Sequence, residues 1–309
     1  MKYFELDTKS QFAEKNLCLA IGNFDGFHKG HIAVLDSLKR IAIDNNQPSA
    51  IMSFNPHPRE FFDKKNENFN IYSKIDKINF LKKLNIDIYI EFNFDLNLSK
   101  LSANKFIEDI LLNKLDIKNV VVGKDFKFGK DRTGNYEILK NYSSTNNFNT
   151  HLVDSIMLTD NSNKFSSSII RENIKNGQME NANFALGRFW HMTGKIIEGQ
   201  KKAREINFPT ANMEPKNHIL PKKGVYCVEV LYSGKKYLGV SNFGQRPTVD
   251  GHKLLLETHI FNFDKEIYGN ELTVRFLTFI RSEQKFDNFK LLTNQIKKDI
   301  EVAKNYHKI

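Results

Sequence analysis

The segment at residues 22–31 carries residue types that could bind a polyphosphate. It joins a short apolar run, Leu17–Ile21, to a stretch with helical spacing of apolar residues. Glycine lets a backbone approach a phosphate closely, and a helix N-terminus adds positive potential there. His28 and His31 flank Gly30 at this helix start, where imidazole N–H groups can stabilise charge on a leaving pyrophosphate. The alternative is two surface histidines in a turn, but the setting favours a phosphate site. The other predicted members of this site are Gly22, Asn23, Phe24 and Asp25.

A second phosphate-binding group is predicted further along the first half. Ser166, Ser167 and Arg171 bring two hydroxyl groups and one guanidinium into a single turn, a suitable clamp for phosphate oxygens. The alternative is a helix-capping serine beside a solvated arginine, which is a common arrangement.

Aromatic and proline residues follow two predicted strands and could hold a flat ring. Pro56, His57 and Pro58 form a stiff loop after the strand at residues 49–54. Phe126 and Phe128 alternate after the strand at residues 119–122. Two such phenylalanines pack either on a ligand ring or in the protein core.

The second half has its own polar constellation. Thr210 and Asn212 lie two residues apart and offer a hydroxyl and a carbonyl oxygen, which suit a hard cation that also contacts phosphates. Glu257 lies inside the otherwise apolar run at residues 254–260. A carboxylate there is costly to bury, so it either points outward or accepts a proton from a substrate hydroxyl.

Two different folds must position these residues. In the first half strands alternate with helices, which predicts a parallel sheet with helices on both faces and ligands beyond the carboxyl ends of its strands. After residue 187 come closely spaced strands and turn signals, which predict a small antiparallel β-barrel. A closing helix at residues 288–306 is predicted, with one apolar face comprising Phe289, Leu292, Ile296, Ile300 and Ala303.

Length and composition exclude several classes of protein. The 309 residues suggest two domains, and 40% hydrophobic with 27% charged residues exclude disordered and collagen-like chains. No apolar run approaches a membrane span, and the N-terminus lacks the apolar stretch of a secretory signal. Cys18 and Cys227 form neither a disulfide framework nor a zinc motif. We expect a soluble, cytoplasmic protein with no membrane partner.

Charge is concentrated in the second half. Of the net charge of +10, residues 1–186 contribute 25 basic against 23 acidic side chains, and residues 187–309 contribute 21 against 13. Such a half could bind nucleic acid, acidic lipid or a phosphorylated small molecule. No pattern of stacking aromatics or basic stripes supports nucleic acid.

Residues 15–186 resemble the FMN adenylyltransferase module of bacterial bifunctional FAD synthetases. The matching motifs are 28–31 (H-K-G-H), 54–58 (F-N-P-H-P), 122–129 (V-G-K-D-F-K-F-G) and 166–171 (S-S-S-I-I-R). The resemblance implies that the phosphate sites above bind ATP, with His28, His31 and Arg171 as the catalytic residues. It also implies that FMN is bound by Pro56, His57, Pro58, Asp125, Phe126 and Phe128.

Residues 185–307 resemble the riboflavin kinase module through 208–212 (F-P-T-A-N), 241–248, 257–259 and 279–286. The resemblance implies that Thr210 and Asn212 hold Mg²⁺ and ATP and that Glu257 is the general base. Arg246 and Arg281 would bind flavin. Where the family has two glycines in its phosphate loop, this chain has Ala203 and Asn207, while Lys202 and Arg204 supply positive charge.

The prediction is therefore a bifunctional enzyme with domains at residues 1–186 and 187–309. It would phosphorylate riboflavin to FMN and adenylylate FMN to FAD with release of pyrophosphate, using ATP as co-substrate and Mg²⁺ as cofactor. The alternatives are an adenylyltransferase with an impaired kinase domain, an adenylyltransferase for another mononucleotide, and a non-catalytic flavin- or nucleotide-binding protein. Protein partners and oligomeric state are not indicated.

Overall fold

A computed structural model describes residues 1–63, 68–154, 165–198, 208–215, 218–248 and 251–308. The chain forms two compact units. The first comprises Met1–Glu67 and Lys74–Ser166, and the second comprises Asn68–Ser73 and Ser167–Ile309.

The first unit contains a six-stranded, fully parallel sheet. Its strands are β1 (Lys2–Leu6), β2 (Leu17–Ile21), β3 (Ser49–Asn55), β4 (Ile88–Asn93), β5 (Ile117–Gly123) and β6 (Asn149–Val153), in the spatial order β1-β4-β3-β2-β5-β6. Every residue of β2 is buried, which explains its uninterrupted apolar sequence. The strand order reverses between β2 and β5, so the crevice beyond their carboxyl ends is the expected ligand site.

Helices cover both faces of this sheet, as predicted. They are α1 (Lys29–Asp44), α2 (Pro58–Phe62), α3 (Lys74–Lys83), α4 (Leu96–Lys100), α5 (Ala103–Lys105) and α6 (Tyr136–Ser143), with a short 3₁₀ turn at Lys130–Arg132. One core layer lies under α1 and α3, where Leu35, Leu38 and Leu81 are fully buried. The other contains Ile107 and Leu111.

One helical segment of the first unit has an unexpected geometry. After α5 it continues as a π-helix, Phe106–Lys114. The buried residues Phe106, Ile110, Leu111 and Leu115 are separated by four and five positions. This spacing suits the wider turn of i→i+5 hydrogen bonds.

The second unit contains a closed six-stranded barrel, also as predicted. Its strands are β7 (His191–Ile197), β8 (Ala211–Met213), β9 (Gly224–Tyr232), β10 (Lys235–Thr248), β11 (Gly251–Ile260) and β12 (Glu271–Ser282), in the order β10-β11-β8-β7-β12-β9. All recorded pairings are antiparallel. Ser233 and Gly234 have φ of 49° and 75°, as a tight hairpin between β9 and β10 requires.

The unit also contains helices α7 (Ser167–Asn176), α8 (Met179–Leu186) and α9 (Phe289–His307). Helix α9 packs on the outside of the barrel through its C-terminal half, where Ile300 and Ala303 meet Val225 and Cys227. Phe289, at the start of the predicted apolar face, is 47% exposed, because the first turn of α9 precedes the packed stretch.

Two segments from outside the barrel belong to the second unit. The Trp190 indole donates to the Ile71 carbonyl at 2.9 Å, and the Ile219 amide donates to Asn70 at 2.7 Å. The Asn183 side chain of α8 donates to the Phe276 carbonyl of β12 at 2.9 Å. Apart from Asn68–Ser73, the boundary between the compact units therefore lies at Ser166/Ser167. A functional boundary at 186/187 stays a prediction.

Within the described ranges, every helix is too short or too polar to cross a bilayer.

Candidate functional sites

The loop after β2 has an unusual backbone at the crevice of the first unit. Phe24, Gly26 and Phe27 all have positive φ, of 47°, 90° and 44°. Left-handed conformations of bulky residues are unfavourable by about 1–3 kcal/mol each and cluster at functional sites. The loop is held by buried rings, because Phe27 stacks on Phe80 at 4.6 Å and Phe24 meets His31 edge-on at 5.3 Å.

His28 is the N-cap of α1, and its capping bond fixes its proton. The ring is 7% exposed, and Nδ1 accepts from the His31 amide at 3.3 Å. A neutral imidazole that accepts through Nδ1 carries its proton on Nε2, so Nε2–H is the donor. The His28 and His31 rings stack at 3.7 Å. A Cβ at Gly30 would lie 3.2 Å from the His28 ring. Glycine therefore leaves the space that this ring occupies.

Phe24 was predicted to bind nucleotide, and that role stays a prediction. The ring is 2% exposed and supports His31, so its side chain packs in the core. Asn23 and Asp25 lie in the same loop, with Asp25 1% exposed. The Asn23 Oδ1 is buried, with no hydrogen-bond partner among the described residues.

Lys77 lies beside this loop and was not predicted from the sequence. Its Nζ donates to the Asn23 carbonyl at 3.3 Å. Burial lowers the pKa of Lys77, because leaving water disfavours an ammonium, while the Asp25 and Glu91 carboxylates oppose this shift. The loop after β2 thus has the Lys77 side chain of α3 beside it.

The loop after β3 carries Pro56, His57 and Pro58, all half-buried. The Asn55–Pro56 peptide bond is cis, and the His57 Nδ1 accepts from the Arg59 amide at 3.1 Å. His57 therefore caps α2.

An aromatic cluster lies beside this loop and was also missed. The Phe94 ring has edge-on contacts with Phe54, Phe61 and Phe62 at 5.3–5.9 Å. Phe62 is 70% exposed, so its ring is accessible. The sequence signal for this cluster was the position of Phe54 and Phe94 at the ends of the neighbouring strands β3 and β4.

The loop after β5 supplies Asp125, Phe126 and Phe128. Asp125 is exposed and Phe126 is half-buried. Phe128 is 6% exposed, its ring packs against Phe106 at 5.5 Å, and a Cβ on Gly134 would lie 2.7 Å from it. Phe128 is thus a core residue, and Phe126 is the more accessible ring.

The predicted phosphate clamp is divided between the units. Ser166 ends the first unit, whereas Ser167 and Arg171 belong to the second. Arg171 is 7% exposed, its Nε donates to the Phe69 carbonyl at 2.9 Å, and its guanidinium lies 3.8 Å from the Phe69 ring centre. The grouping of Arg171 with His28 and His31 stays a prediction.

On the barrel, strand register brings the predicted kinase residues together. Asn212 of β8 and Glu257 of β11 are direct cross-strand partners. On the other side of Glu257 its partner is Asn242 of β10. Directly opposed residues of antiparallel strands share a face with Cβ atoms about 5 Å apart, so two amides flank the carboxylate. We call Asn212, Glu257 and Asn242 the polar row.

Glu257 is held by an arginine. The Arg246 Nε and Nη2 both donate to Glu257 Oε2, at 2.8 and 2.6 Å, and its Nη1 donates to Glu283 at 3.1 Å. These two carboxylates raise the pKa of Arg246 against the opposing effect of burial. Both bonds end on Oε2, and no described donor occupies Oε1. Arg246 was predicted to bind flavin. In the structure its guanidinium is paired with Glu257, the predicted general base.

A cavity of about 440 Å³ lies in the same unit, and the polar row is not among its lining residues. Thr210 and Thr258 line it together with Asp264 and Tyr268. The Asn212 Nδ2 donates to the Thr210 carbonyl at 3.3 Å, whereas a cation would be bound through the amide oxygen. The hydroxyl, amide and carboxylate oxygens of Thr210, Asn212 and Glu257 are the donor types that suit Mg²⁺.

Arg281, also predicted to bind flavin, has a partly buried ion pair. Its Nε and Nη2 donate to the two carboxylate oxygens of Asp299 at 2.8 and 2.7 Å. The pair ties β12 to α9. The predicted phosphate residues Lys202 and Arg204, with Ala203 and Asn207, lie outside the described residues.

Comparisons with known proteins agree with this division into two sites. The family described as FAD synthetase matches residues 10–169, and the family described as riboflavin kinase matches residues 186–307. A bifunctional riboflavin kinase/FMN adenylyltransferase from Haemophilus influenzae is 40% identical over 289 residues, which cover 93% of each chain. The protein of that name from Escherichia coli K12 is 33% identical over 298 residues, covering 96% of this chain and 95% of the relative.

A solved structure has the same fold. It is described as a macrolide-efflux protein from Streptococcus pneumoniae, is 28% identical, and superposes with a TM-score of 0.88 over 99% of both chains.

Proposed function

This chain belongs to the family of bifunctional riboflavin kinases/FMN adenylyltransferases, and from that membership we propose how its residues carry out the two reactions. The protein phosphorylates riboflavin to FMN with ATP, and it adenylylates FMN to FAD with release of pyrophosphate. The barrel is the proposed kinase site, and the crevice of the parallel sheet is the proposed adenylylation site.

In adenylylation, a phosphate oxygen of FMN attacks the α-phosphorus of ATP. The new P–O bond forms as the bond from the α-phosphorus to the bridging oxygen breaks, and pyrophosphate carries away the negative charge. We propose that His28 Nε2–H and His31 at the N-terminus of α1 stabilise this charge. Ser166, Ser167 and Arg171 stay predicted phosphate-binding residues on the ground of the sequence. No protein nucleophile is needed, because positioning and charge stabilisation supply most phosphoryl-transfer catalysis.

FMN would lie beyond the carboxyl ends of β3 and β5. The loop at Pro56, His57 and Pro58 and the accessible rings of Phe62 and Phe126 suit an isoalloxazine, which binds by stacking and apolar contact. An ionised Asp125 carboxylate can only accept hydrogen bonds. Its proposed role is therefore to accept one from the N–H group of the flavin ring.

In the kinase site, Glu257 is the proposed base for the terminal ribityl hydroxyl. The hydroxyl oxygen bonds to the γ-phosphorus, ADP leaves, and Oε1 takes the proton. Arg246 supports this step by fixing Oε2, so the carboxylate presents its other oxygen. The observation that carries the proposal is the register that places Asn212 opposite Glu257, whose Oε2 is held by Arg246.

We propose that Mg²⁺ is held by Thr210 and Asn212 together with ATP. Bound there, the ion would neutralise phosphate charge. The cell compartment is proposed to be the cytoplasm, since both cysteines are free and buried, as in proteins of reducing compartments.

The test is to incubate the protein with riboflavin and Mg-ATP and to separate the flavins over time. FMN should appear first and FAD afterwards. FAD formed only from supplied FMN would mean an impaired kinase site, and no product from either flavin would contradict both assignments.

A further inference from the structure

Asn242 has a buried polar atom that the fold leaves unsatisfied. It belongs to the polar row, opposite Glu257 across one strand pair and Val225 across the other. Its Oδ1 is buried without a hydrogen-bond partner among the described residues. The neighbouring Ser241 differs, because its hydroxyl bonds to Thr258 Oγ1 at 2.8 Å.

A buried amide oxygen with no donor is unfavourable, because it has lost its hydrogen bonds to water without replacing them. A residue of this kind is tolerated where a ligand supplies the missing donor. The position points to the same ligand as Glu257, because opposed side chains on one face lie about 5 Å apart. It also lies on the outer face of the barrel, next to the α9 contact at Val225.

We propose that Asn242 is a positioning and specificity residue of the kinase site, whose Oδ1 accepts a hydrogen bond from an inner ribityl hydroxyl of riboflavin. This inference rests on the proposed role of Glu257 at the terminal hydroxyl. A polyol side chain presents several hydroxyl donors in succession, so one chain can satisfy Glu257 and Asn242 together. The amide would select flavins with a hydroxylated side chain and align the terminal hydroxyl for transfer.

The test compares two substrates in four proteins. One substrate is riboflavin, and the other is a flavin whose five-carbon side chain carries only the terminal hydroxyl. The proteins are the wild type, Asn242→Ala, Asn242→Leu and, as the matched control, Ser241→Ala. The wild type should prefer riboflavin in kcat/KM. Both Asn242 variants should lose that preference by about 10-fold or more, since the site no longer distinguishes the inner hydroxyls. Ser241→Ala should keep it.

A second measurement is independent of turnover. Without flavin, Asn242→Leu removes an unsatisfied polar atom, so the barrel unit should melt about 2–4 °C higher. Ser241→Ala leaves the Thr258 hydroxyl without its partner, so the barrel unit should melt lower. A lower melting temperature for Asn242→Leu would mean that the oxygen is satisfied within the protein, and would overturn the proposal.

The outcomes separate this inference from the proposed function. If the wild type does not phosphorylate riboflavin, the assignment of the kinase site fails. If it does, but the Asn242 variants keep the full preference for riboflavin, the inference alone fails. It also fails if the variants shift the magnesium requirement equally for both substrates, because Asn242 would then serve the cation.

Discussion

Replacing Glu257 with glutamine separates a catalytic base from a structural carboxylate. The change keeps volume and hydrogen-bonding capacity but removes the ability to take a proton. The amide oxygen can accept from Arg246, which now donates twice to Oε2 at 2.8 and 2.6 Å. The other side-chain terminus becomes an NH₂ donor, so the ribityl hydroxyl meets a donor where it needs an acceptor.

The structure sets the expected size of the effect. Loss of a positioned base lowers turnover by about 10²–10⁴-fold, which corresponds to about 3–5.5 kcal/mol in the barrier. Exchange of a charged acceptor for a neutral amide oxygen in the two bonds from Arg246 lowers barrel stability by only about 1 kcal/mol. Riboflavin and ATP should therefore still bind, and the loss should appear in kcat.

The assay measures riboflavin affinity by flavin fluorescence beside the kinase turnover number. Glu283→Gln is the matched control, because it removes the same charge from the same arginine at 3.1 Å but is not the proposed base. It should lower turnover by no more than about fivefold, in line with a partly exposed ion pair of about 1 kcal/mol at most. Near-normal turnover in Glu257→Gln, or an equal loss in both variants, would refute the reasoning.

The remaining predictions concern the other residues. His28→Ala or His31→Ala should lower adenylylation about 10²–10³-fold and spare riboflavin phosphorylation; equal loss of both activities would contradict separate sites. Gly30→Ala should lower adenylylation about 10-fold, because its Cβ would press on the His28 ring at 3.2 Å. Asn212→Ala should raise the magnesium requirement of the kinase alone, as a magnesium titration would show. Burial lowers the pKa of His151 from 6.5, so the unfolded chain binds its proton more readily. Unfolding titrations should show stability falling below that pH, and His151→Gln should remove this loss.

Central strands could be predicted from the sequence, and edge strands could not. β2 and β5 are buried on both faces, so their apolar runs are continuous. β1 and β6 lie at the two edges of the sheet, where side chains such as Lys2 and Asn149 are exposed. A short edge strand with polar residues has little in its sequence to distinguish it from a loop.

Candidate residues of the two sites could be named from the sequence where they lie close together along the chain. His28 and His31 lie one helical turn apart, and Thr210 and Asn212 flank one residue. Lys77 was missed because a lysine in a lysine-rich helix normally faces solvent, and only the packing of α3 brings it to Asn23.

Other interactions depend on tertiary structure alone. The pairing of Arg246 with Glu257 and the orphaned oxygen of Asn242 both follow from barrel register. Phe126 and Phe128 are a further example, because their alternation along the chain does not indicate which ring lies in the core. The contact between Phe128 and Phe106 in the folded structure decides it.

The interlaced course of the chain has a consequence for how such a protein could be divided. Residues 68–73 come from the middle of the first unit's sequence but supply the acceptor for the Trp190 indole and a partner for Ile219. One cut anywhere in the chain therefore cannot release both units whole. A gene split at 186/187 would give a barrel fragment lacking α7, α8 and the Ile71 carbonyl, with a buried indole N–H left unsatisfied. Independent inheritance of the two activities would need compensating substitutions around Trp190, a barrier that favours keeping both reactions on one polypeptide.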